Sequence, residues 1–255
     1  MRSPLTLYPL NDFPRVAPGD DLGGLLISAL ECADLAPVAS DVLVIAQKVV
    51  SKAEGRYISL SDVTPGAKAI EVAQQADKDP RLVELILAES RALLRVRPGV
   101  VIVEHNNGYV HANAGIDSSN IPNDKDNPRV LLLPKDSDAS AYRLREQLAQ
   151  HFGTTLQVII NDSTGRAWRN GTVGIAIGCA GVSPLYNQVG EQDLYGNELK
   201  VTEAAVADEL AAAASLVMGQ AAEGCPVVLA RGANLAASEA GSAALLRDKS
   251  QDLFR

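Results

Sequence analysis

Cysteine and aromatic residues are scarce in this sequence. Its three cysteines, Cys32, Cys179 and Cys225, are scattered along 255 positions. Since they form no Cys-x-x-Cys pair, they suggest neither a disulfide framework nor a zinc site. Aromatic residues make up only 4% of the chain, so Val, Leu, Ile and Ala must fill the core. The apolar runs are too short to span a membrane, and the N-terminal segment lacks the apolar stretch of a secretory signal. We therefore expect a cytoplasmic protein that does not associate with membranes.

Basic residues are also in the minority. The net charge of −8 argues against broad nucleic-acid binding, which needs clustered Lys and Arg, although it allows a small anionic ligand held by a local cluster. The phosphate-binding patterns Gly-x-x-x-x-Gly-Lys-Ser/Thr and Gly-x-Gly-x-x-Gly are both absent. The sequence also lacks a Gly-x-Ser-x-Gly elbow and His-x-x-x-His spacing. The usual markers of hydrolases, Rossmann dehydrogenases and zinc enzymes are therefore missing.

The pattern of apolar residues predicts a mixed α/β fold. Helical spacing and capping residues predict helices over 20–32, 66–77, 80–94, 137–151 and 202–220. Apolar runs and turn signals predict strands over 41–50, 100–104, 109–111, 129–133, 156–161, 173–179 and 226–230. The chain reads as a single unit. The helical region near 60–95 is a candidate subdomain, although no linker marks it.

Four polar clusters follow apolar strands or close a helix: QKVVSK at 47–52, NAGIDSSN at 113–120, NDSTGRAWRNG at 161–171 and MGQAAEG at 218–224. Taken singly, each is explained by a solvated strand end, a turn or a helix C-cap. Taken together, they hold lysines, arginines, acids and hydroxyls without a nucleophile–base pair. That inventory suits metal-assisted phosphoryl transfer.

Particular residues in these clusters have chemical roles under the functional reading. Lys48 and Lys52 would share one face if the strand over 41–50 persisted, and two cations on one face favour an anion between them. Asp117, Asp162 and Ser163 offer oxygen ligands to a hard cation. Arg166 and Arg169 can form forked hydrogen bonds to phosphate or carboxylate. Two further expectations concern neighbouring residues: His105 and His111 would face solvent or each other on a hairpin, and Trp168 would pack against its turn.

Long segments of the sequence resemble the coenzyme F420-0:γ-glutamyl ligase family. They are SDVLVIAQKVVSKAEGR, NAGIDSSN, INDSTGRAWRNGTVGIAIGCAGV, DLYGNELKVTEAAVADELAAAASLVMGQAAEGCPVV and the early PGDDL. The resemblance covers nearly the whole chain in order. It implies an intertwined homodimer with a mixed α/β fold. The implied activity is GTP-dependent addition of L-glutamate to coenzyme F420-0 through an acyl phosphate, with further γ-linked glutamates as an additional expectation. The nitroreductase-like domain fused to some relatives is expected to be absent.

The resemblance also implies a set of site residues. Two divalent cations, Mg²⁺ or Mn²⁺, would be held by Asp117 and Asp162 and by Ser163 and Gln220, and a monovalent cation such as K⁺ is a further candidate. Asp117, Asp162, Lys52, Arg166 and Arg169 would take part in catalysis. The GTP site would be lined by Phe13, Pro14, Arg15, Val16, Gln47, Lys48, Lys52, Asn120, Met218, Gly219, Gln220, Ala221, Ala222, Glu223, Gly224 and Cys225.

The chain departs from some members of this family at three places. Gln47-Lys48 stands where an archaeal relative carries a small hydroxylated pair, Ser163 where a relative carries Thr, and Gln220 where some relatives carry Glu. Two alternatives stay open at this point. The alternatives to the F420-0 ligase activity are a related nucleotide-dependent ligase with a different acceptor and a nucleotide-binding protein without catalytic activity.

Overall fold

A computed structural model describes residues 4–122 and 126–252. Its α-helices are α1 (Leu22–Cys32), α2 (Gln47–Ala53), α3 (Ala67–Ala76), α4 (Pro80–Ala88), α5 (Ser137–Phe152) and α6 (Val206–Met218). Its first six strands are β1 (Thr6–Pro9), β2 (Val42–Ala46), β3 (Tyr57–Ser59), β4 (Ser90–Arg97), β5 (Val100–His105) and β6 (Val110–Ala112). The other six are β7 (Arg129–Leu131), β8 (Gln157–Arg166), β9 (Arg169–Ala180), β10 (Tyr186–Asn187), β11 (Glu203–Ala204) and β12 (Val227–Arg231). Short 3-10 helices lie at Leu60–Asp62, Asn113–Gly115, Ser242–Leu245 and Lys249–Gln251.

A five-stranded sheet with the order β1-β12-β2-β8-β9 forms the centre of the molecule, and only its β2–β8 pair is parallel. Alternate residues of its buried strands pack into two hydrophobic cores, one on each face of the sheet. Leu43 and Ile45 pack with α1 and α5 on one face, whereas Val42 and Val44 pack with α6 on the other. Both faces are covered, so β2 is apolar at every position, as buried parallel strands are. The mixed α/β class expected from the sequence is therefore confirmed.

A smaller unit packs beside this sheet. The three-stranded sheet β4-β5-β6 and the helices α3 and α4 enclose a separate core that includes Val72, Ile86 and Val103. Asp79 caps α4, accepting a hydrogen bond from the Arg81 amide. Strand β6 of this unit also contacts β8 of the large sheet. The candidate functional residues lie near this junction.

Several predicted elements extended too far. The strand expected over 41–50 ends at Ala46, and α2 begins at Gln47. Val49 and Val50 suggested a continuing strand, but both lie in α2, where their side chains are buried. Lys48 and Lys52 therefore share a face through helical i,i+4 spacing instead. The helix expected over 80–94 ends at Ala88, and β4 begins at Ser90. Leu93 fitted the helical spacing by coincidence, and pairing with β5 makes that segment a strand.

The segment 161–171 is mostly strand rather than turn. β8 continues to Arg166, β9 begins at Arg169, and the two form a long hairpin. The Trp168 side chain is 86% exposed at its tip, so the expectation that it packs against the turn was wrong. The helix expected over 202–220 is shorter, because 203–204 pair with β10. Within 4–122 and 126–252, no helix has the length and apolar character needed to cross a bilayer.

Candidate functional site

A cleft of about 580 Å³ lies where the ends of several elements meet. Its walls come from residues 13–16, the β2–α2 junction, the loop after β6, the middle of β8, and the turn between α6 and β12. The lining residues are Phe13, Pro14, Arg15, Val16, Ala46, Gln47, Lys48, Val49, Lys52, Asp117, Ser119, Asn120, Asn161, Asp162, Ser163, Ser215, Met218, Gly219, Gln220, Ala221, Ala222, Glu223, Gly224, Cys225 and Pro226.

Among the described residues, three cations face this cleft: Arg15, Lys48 and Lys52. Lys52 Nζ donates to the backbone carbonyl of Asn120 at 2.7 Å, and the side-chain Nδ2 of Asn120 donates to the Ala221 carbonyl at 2.8 Å. Burial lowers the pKa of Lys52, and the charges of Lys48 and Arg15 lower it further, against an opposing effect of Asp117. An anion bound among these cations would relieve that repulsion. The cleft therefore favours a negatively charged ligand.

Asp117 is held in place by protein donors. Its Oδ2 accepts from Lys48 Nζ at 2.6 Å and from Ser119 Oγ at 3.0 Å, and its Oδ1 accepts from the Ser119 amide at 2.7 Å. Burial acts to raise the pKa of this carboxyl, but the bonds and charge of Lys48 and Ser119 outweigh it, so the pKa is lowered. Asp117 is therefore an anion in the folded protein, and a cation on it would compete with the Lys48 ammonium.

Asp162 enters the cleft from β8 and pairs with a histidine of the smaller unit. His111 Nε2 lies 2.9 Å from Asp162 Oδ2, and the Ser163 amide donates to Asp162 Oδ1 at 2.8 Å. The expectation was that His105 and His111 face solvent or each other. Both are buried, so the first part was wrong, and the ring of Tyr109 contacts each of them. Burial lowers the pKa of His111, but the hydrogen bond and charge of Asp162 and the Ala112 carbonyl together raise it above its ordinary value.

Ser163 and Gln220 bring two oxygen atoms together. Ser163 Oγ donates to Gln220 Oε1 at 2.9 Å, and Gln220 Nε2 donates to Ser215 Oγ at 2.9 Å. The second bond points the amide oxygen of Gln220 towards Ser163. The donor types, a hydroxyl and an amide oxygen, fit a hard cation.

The fit of this site to a hard cation depends on the oxygens of a serine and a glutamine. Among the described residues, no three His, Cys, Asp or Glu side chains cluster as a metal site. Asn161 adds one more oxygen: it is 96% buried, it lines the cleft, and its Oδ1 has no hydrogen-bond partner within the described chain. The oxygens that this cleft offers to cations thus include the carboxylates of Asp117 and Asp162 and the neutral oxygens of Ser163, Gln220 and Asn161.

All but two of the candidate residues from the sequence line this one cleft. Arg166 and Arg169 do not; they lie at the tip of the β8–β9 hairpin, where an Arg166 guanidinium nitrogen donates to the Gly171 carbonyl at 3.2 Å. Sequence reasoning missed Ser119, Asn161 and Ser215. Asn161 had a visible signal, since it is the first polar residue after an apolar run. Ser215 had none, because it lies within an alanine-rich helix.

Comparison with known proteins identifies the kind of protein to which this site belongs. The profile of the family described as F420-0:Gamma-glutamyl ligase matches residues 12–232. A relative from Methanothermobacter thermautotrophicus, named Coenzyme F420:L-glutamate ligase, is 46% identical over 253 residues, covering 98% of this chain and 99% of the relative. Relatives of the same name from Methanopyrus kandleri and Archaeoglobus fulgidus are 46% and 39% identical, covering 94% and 98% of this chain and 94% and 96% of their own lengths.

These matches define an enzyme of the ligase class. The chain belongs to the F420-0:gamma-glutamyl ligase family, as its sequence resemblance predicted. The family match includes every candidate site residue, from Phe13 to Cys225.

Proposed function

We propose that this chain catalyses the GTP-dependent addition of L-glutamate to the carboxylate of coenzyme F420-0, releasing GDP and phosphate. The observation that carries the proposal is one cleft that combines three cations with three carboxylates, in a chain whose 46%-identical relatives are named for glutamate ligation to coenzyme F420. The clustered cations suit the phosphates of the nucleotide. The choice of GTP over ATP comes from the family resemblance.

The proposed reaction has two steps. An oxygen of the F420-0 carboxylate attacks the γ-phosphorus of GTP, and the bond to the β–γ bridging oxygen breaks, which gives an acyl phosphate and GDP. The α-amine of glutamate then attacks the acyl carbon. The carbon–nitrogen bond forms, the bond to the phosphate oxygen breaks, and the amine loses its proton to solvent.

This chain's residues would support both steps mainly through charge and position. Lys52 and Arg15 would neutralise phosphate oxygens, whose charge increases as each step proceeds. Asp162, Ser163 and Gln220, with Asp117, would hold divalent cations. Such cations, Mg²⁺ or Mn²⁺, would supply further charge neutralisation on the transferred phosphoryl group. The turn from Met218 to Cys225 and the Phe13–Val16 segment would enclose the nucleotide.

A homodimer is part of the proposal, and exposed apolar side chains support it. Leu194, Tyr195 and Val201, in the segment joining β10 and β11, are almost fully exposed, as is Leu216 on α6. Neighbouring exposed apolar side chains, such as Leu194 and Tyr195, are typical of interaction surfaces. Arg166 and Arg169 lie on the β8–β9 hairpin outside this cleft, so a role in binding glutamate or the coenzyme phosphodiester would place that part of the substrate beyond the cleft.

The direct test incubates the protein with GTP, L-glutamate, F420-0 and MgCl₂, followed by mass spectrometry and GDP quantification. We expect a glutamylated product and one GDP for each bond formed. A different acceptor would give product only when F420-0 is replaced by another carboxylate. GDP release with no acceptor at all, or no reaction under any condition, would overturn the proposal.

Light scattering tests the dimer, which replacement of Leu194 and Tyr195 by Ser should dissociate.

A further inference from the structure

His111 connects the two units of the molecule at the candidate site. It lies on β6, opposite Val103 of β5, in the three-stranded sheet, whereas Asp162 lies on β8 in the five-stranded sheet. The His111 side chain is buried and does not line the cleft, but Asp162 does. The 2.9 Å contact between them is therefore a link from the smaller unit to a cleft residue.

The His111 ring is fixed on several sides. Its Nδ1 lies 3.1 Å from the Ala112 carbonyl oxygen, and the edge of its ring meets the ring of Tyr109 at a centroid distance of 6.3 Å. Tyr109 in turn stacks on His105 at 5.0 Å. A carboxylate oxygen can only accept, so Nε2 is the donor to Asp162. These contacts set the direction in which Nε2 points before any ligand binds.

The bond in turn determines the orientation of the Asp162 carboxylate. Oδ2 is held by His111 and Oδ1 by the Ser163 amide, so rotation of the carboxylate would break a hydrogen bond at each oxygen. Each oxygen can accept a second partner. A carboxylate with one acceptor position used on each oxygen and its direction fixed is ready to bind a cation from the cleft side.

We propose that His111 is a positioning residue that orients Asp162 for cation binding. This rests on the proposed function, in which Asp162 is a cation ligand. His111 acts through Asp162 and does not touch substrate. Groups that orient a metal ligand in this way typically contribute about 10- to 100-fold to metal affinity or activity.

Two amide substitutions test the proposal because they differ mainly in reach. In His111→Gln the amide nitrogen can occupy the place of Nε2, whereas in His111→Asn it falls short of Asp162. Mn²⁺ binding, measured from the EPR signal of free Mn²⁺, should weaken about 10- to 100-fold in H111N and stay close to wild type in H111Q. His151→Gln is the control, since His151 is exposed and pairs with Glu31. Thermal melts show whether each variant folds.

A second measurement needs no variant. The protein contains only three histidines, so the imidazole ¹⁵N signals can be assigned and followed during a Mg²⁺ titration. The His111 signals should move while those of His151 stay in place. Unchanged His111 signals at saturating Mg²⁺, or equal Mn²⁺ affinity of folded H111N and H111Q, would overturn the positioning role while leaving the ligase proposal intact. A wild-type protein that binds neither cation would instead refute the cation sites of the proposed function.

Discussion

Gly174 offers a test of how the fold builds the cleft. It lies on β9 directly opposite Ser163. A methyl group at this position would lie 2.6 Å from the Ala211 carbonyl oxygen, 2.6 Å from Asn161 Oδ1 and 2.7 Å from Ser215 Cβ. These distances are well below van der Waals contact, and two of the atoms belong to α6. In Gly174→Ala, α6 must therefore move away from the sheet.

The same substitution at Gly178 is a matched control. A methyl group there would lie 2.6 Å from the Ser137 carbonyl oxygen and 2.8 Å from Ser137 Cβ, at the start of α5 on the other face of the sheet. Overpacking of this kind costs about 1–3 kcal/mol. At about 2–4 °C per kcal/mol for a chain of this size, each variant should melt roughly 2–12 °C below wild type.

Binding should separate the two variants. When α6 moves, Ser215 moves with it, and Ser215 accepts the hydrogen bond that orients Gln220. Gly174→Ala should therefore weaken the binding of Mn²⁺ and GDP. Gly178→Ala should lose stability but keep both affinities. Calorimetric titration with Mn²⁺ and GDP, together with thermal denaturation, measures each effect. Wild-type affinity in a destabilised Gly174→Ala protein would refute the reasoning that α6 positions the Gln220 side of the cleft.

Three further predictions concern single side chains. Asp162→Asn should abolish glutamyl transfer while the circular dichroism spectrum stays native, because one proposed cation ligand loses its charge. Lys52→Met should raise the KM for GTP, since a charge-assisted hydrogen bond contributes about 1.5–3 kcal/mol, or roughly 10- to 150-fold. The pKa of Glu89 is lowered by His105, whose Nε2 lies 3.8 Å from Glu89 Oε2, and by Arg56, which donates to the same oxygen at 2.9 Å, against the opposing effect of burial. This stabilisation is complete above the ordinary Glu pKa of 4.5 and is lost as pH falls through the lower folded-state value. In urea denaturation, the free energy of unfolding of wild type should therefore exceed that of Glu89→Gln at pH 7, and the difference should disappear in strong acid.

Each of these predictions has a contradicting outcome. Turnover by Asp162→Asn would exclude its role as an essential cation ligand. An unchanged KM for GTP in Lys52→Met would place the phosphates elsewhere in the cleft. A stability difference between wild type and Glu89→Gln that stays constant down to strongly acidic pH would show that ionisation of Glu89 does not stabilise the fold.

The sequence predicted elements best where local rules apply. The helix Ser137–Phe152 has a capping Asp136 and a terminal Gly153 with φ of 65°, and both signals are visible in the sequence. The hairpin between β5 and β6 turns at Asn107-Gly108, as an Asn-Gly pair predicts, and the Gly108 amide donates to the His105 carbonyl at 2.8 Å. Boundaries failed where a pattern continued by chance, as at Val49-Val50 and Leu93.

The amino-acid sequence by itself determined the mixed α/β class, the family, and the polar clusters that supply the cleft residues. It did so because capping, apolar periodicity and long family segments are local in the chain. Only the tertiary structure decided that β8 runs on as a strand through Asp162, that His111 reaches Asp162 across 51 positions, and that Arg166 and Arg169 lie outside the cleft. Those features depend on how two sheets pack together, and local sequence patterns carry no information about that packing.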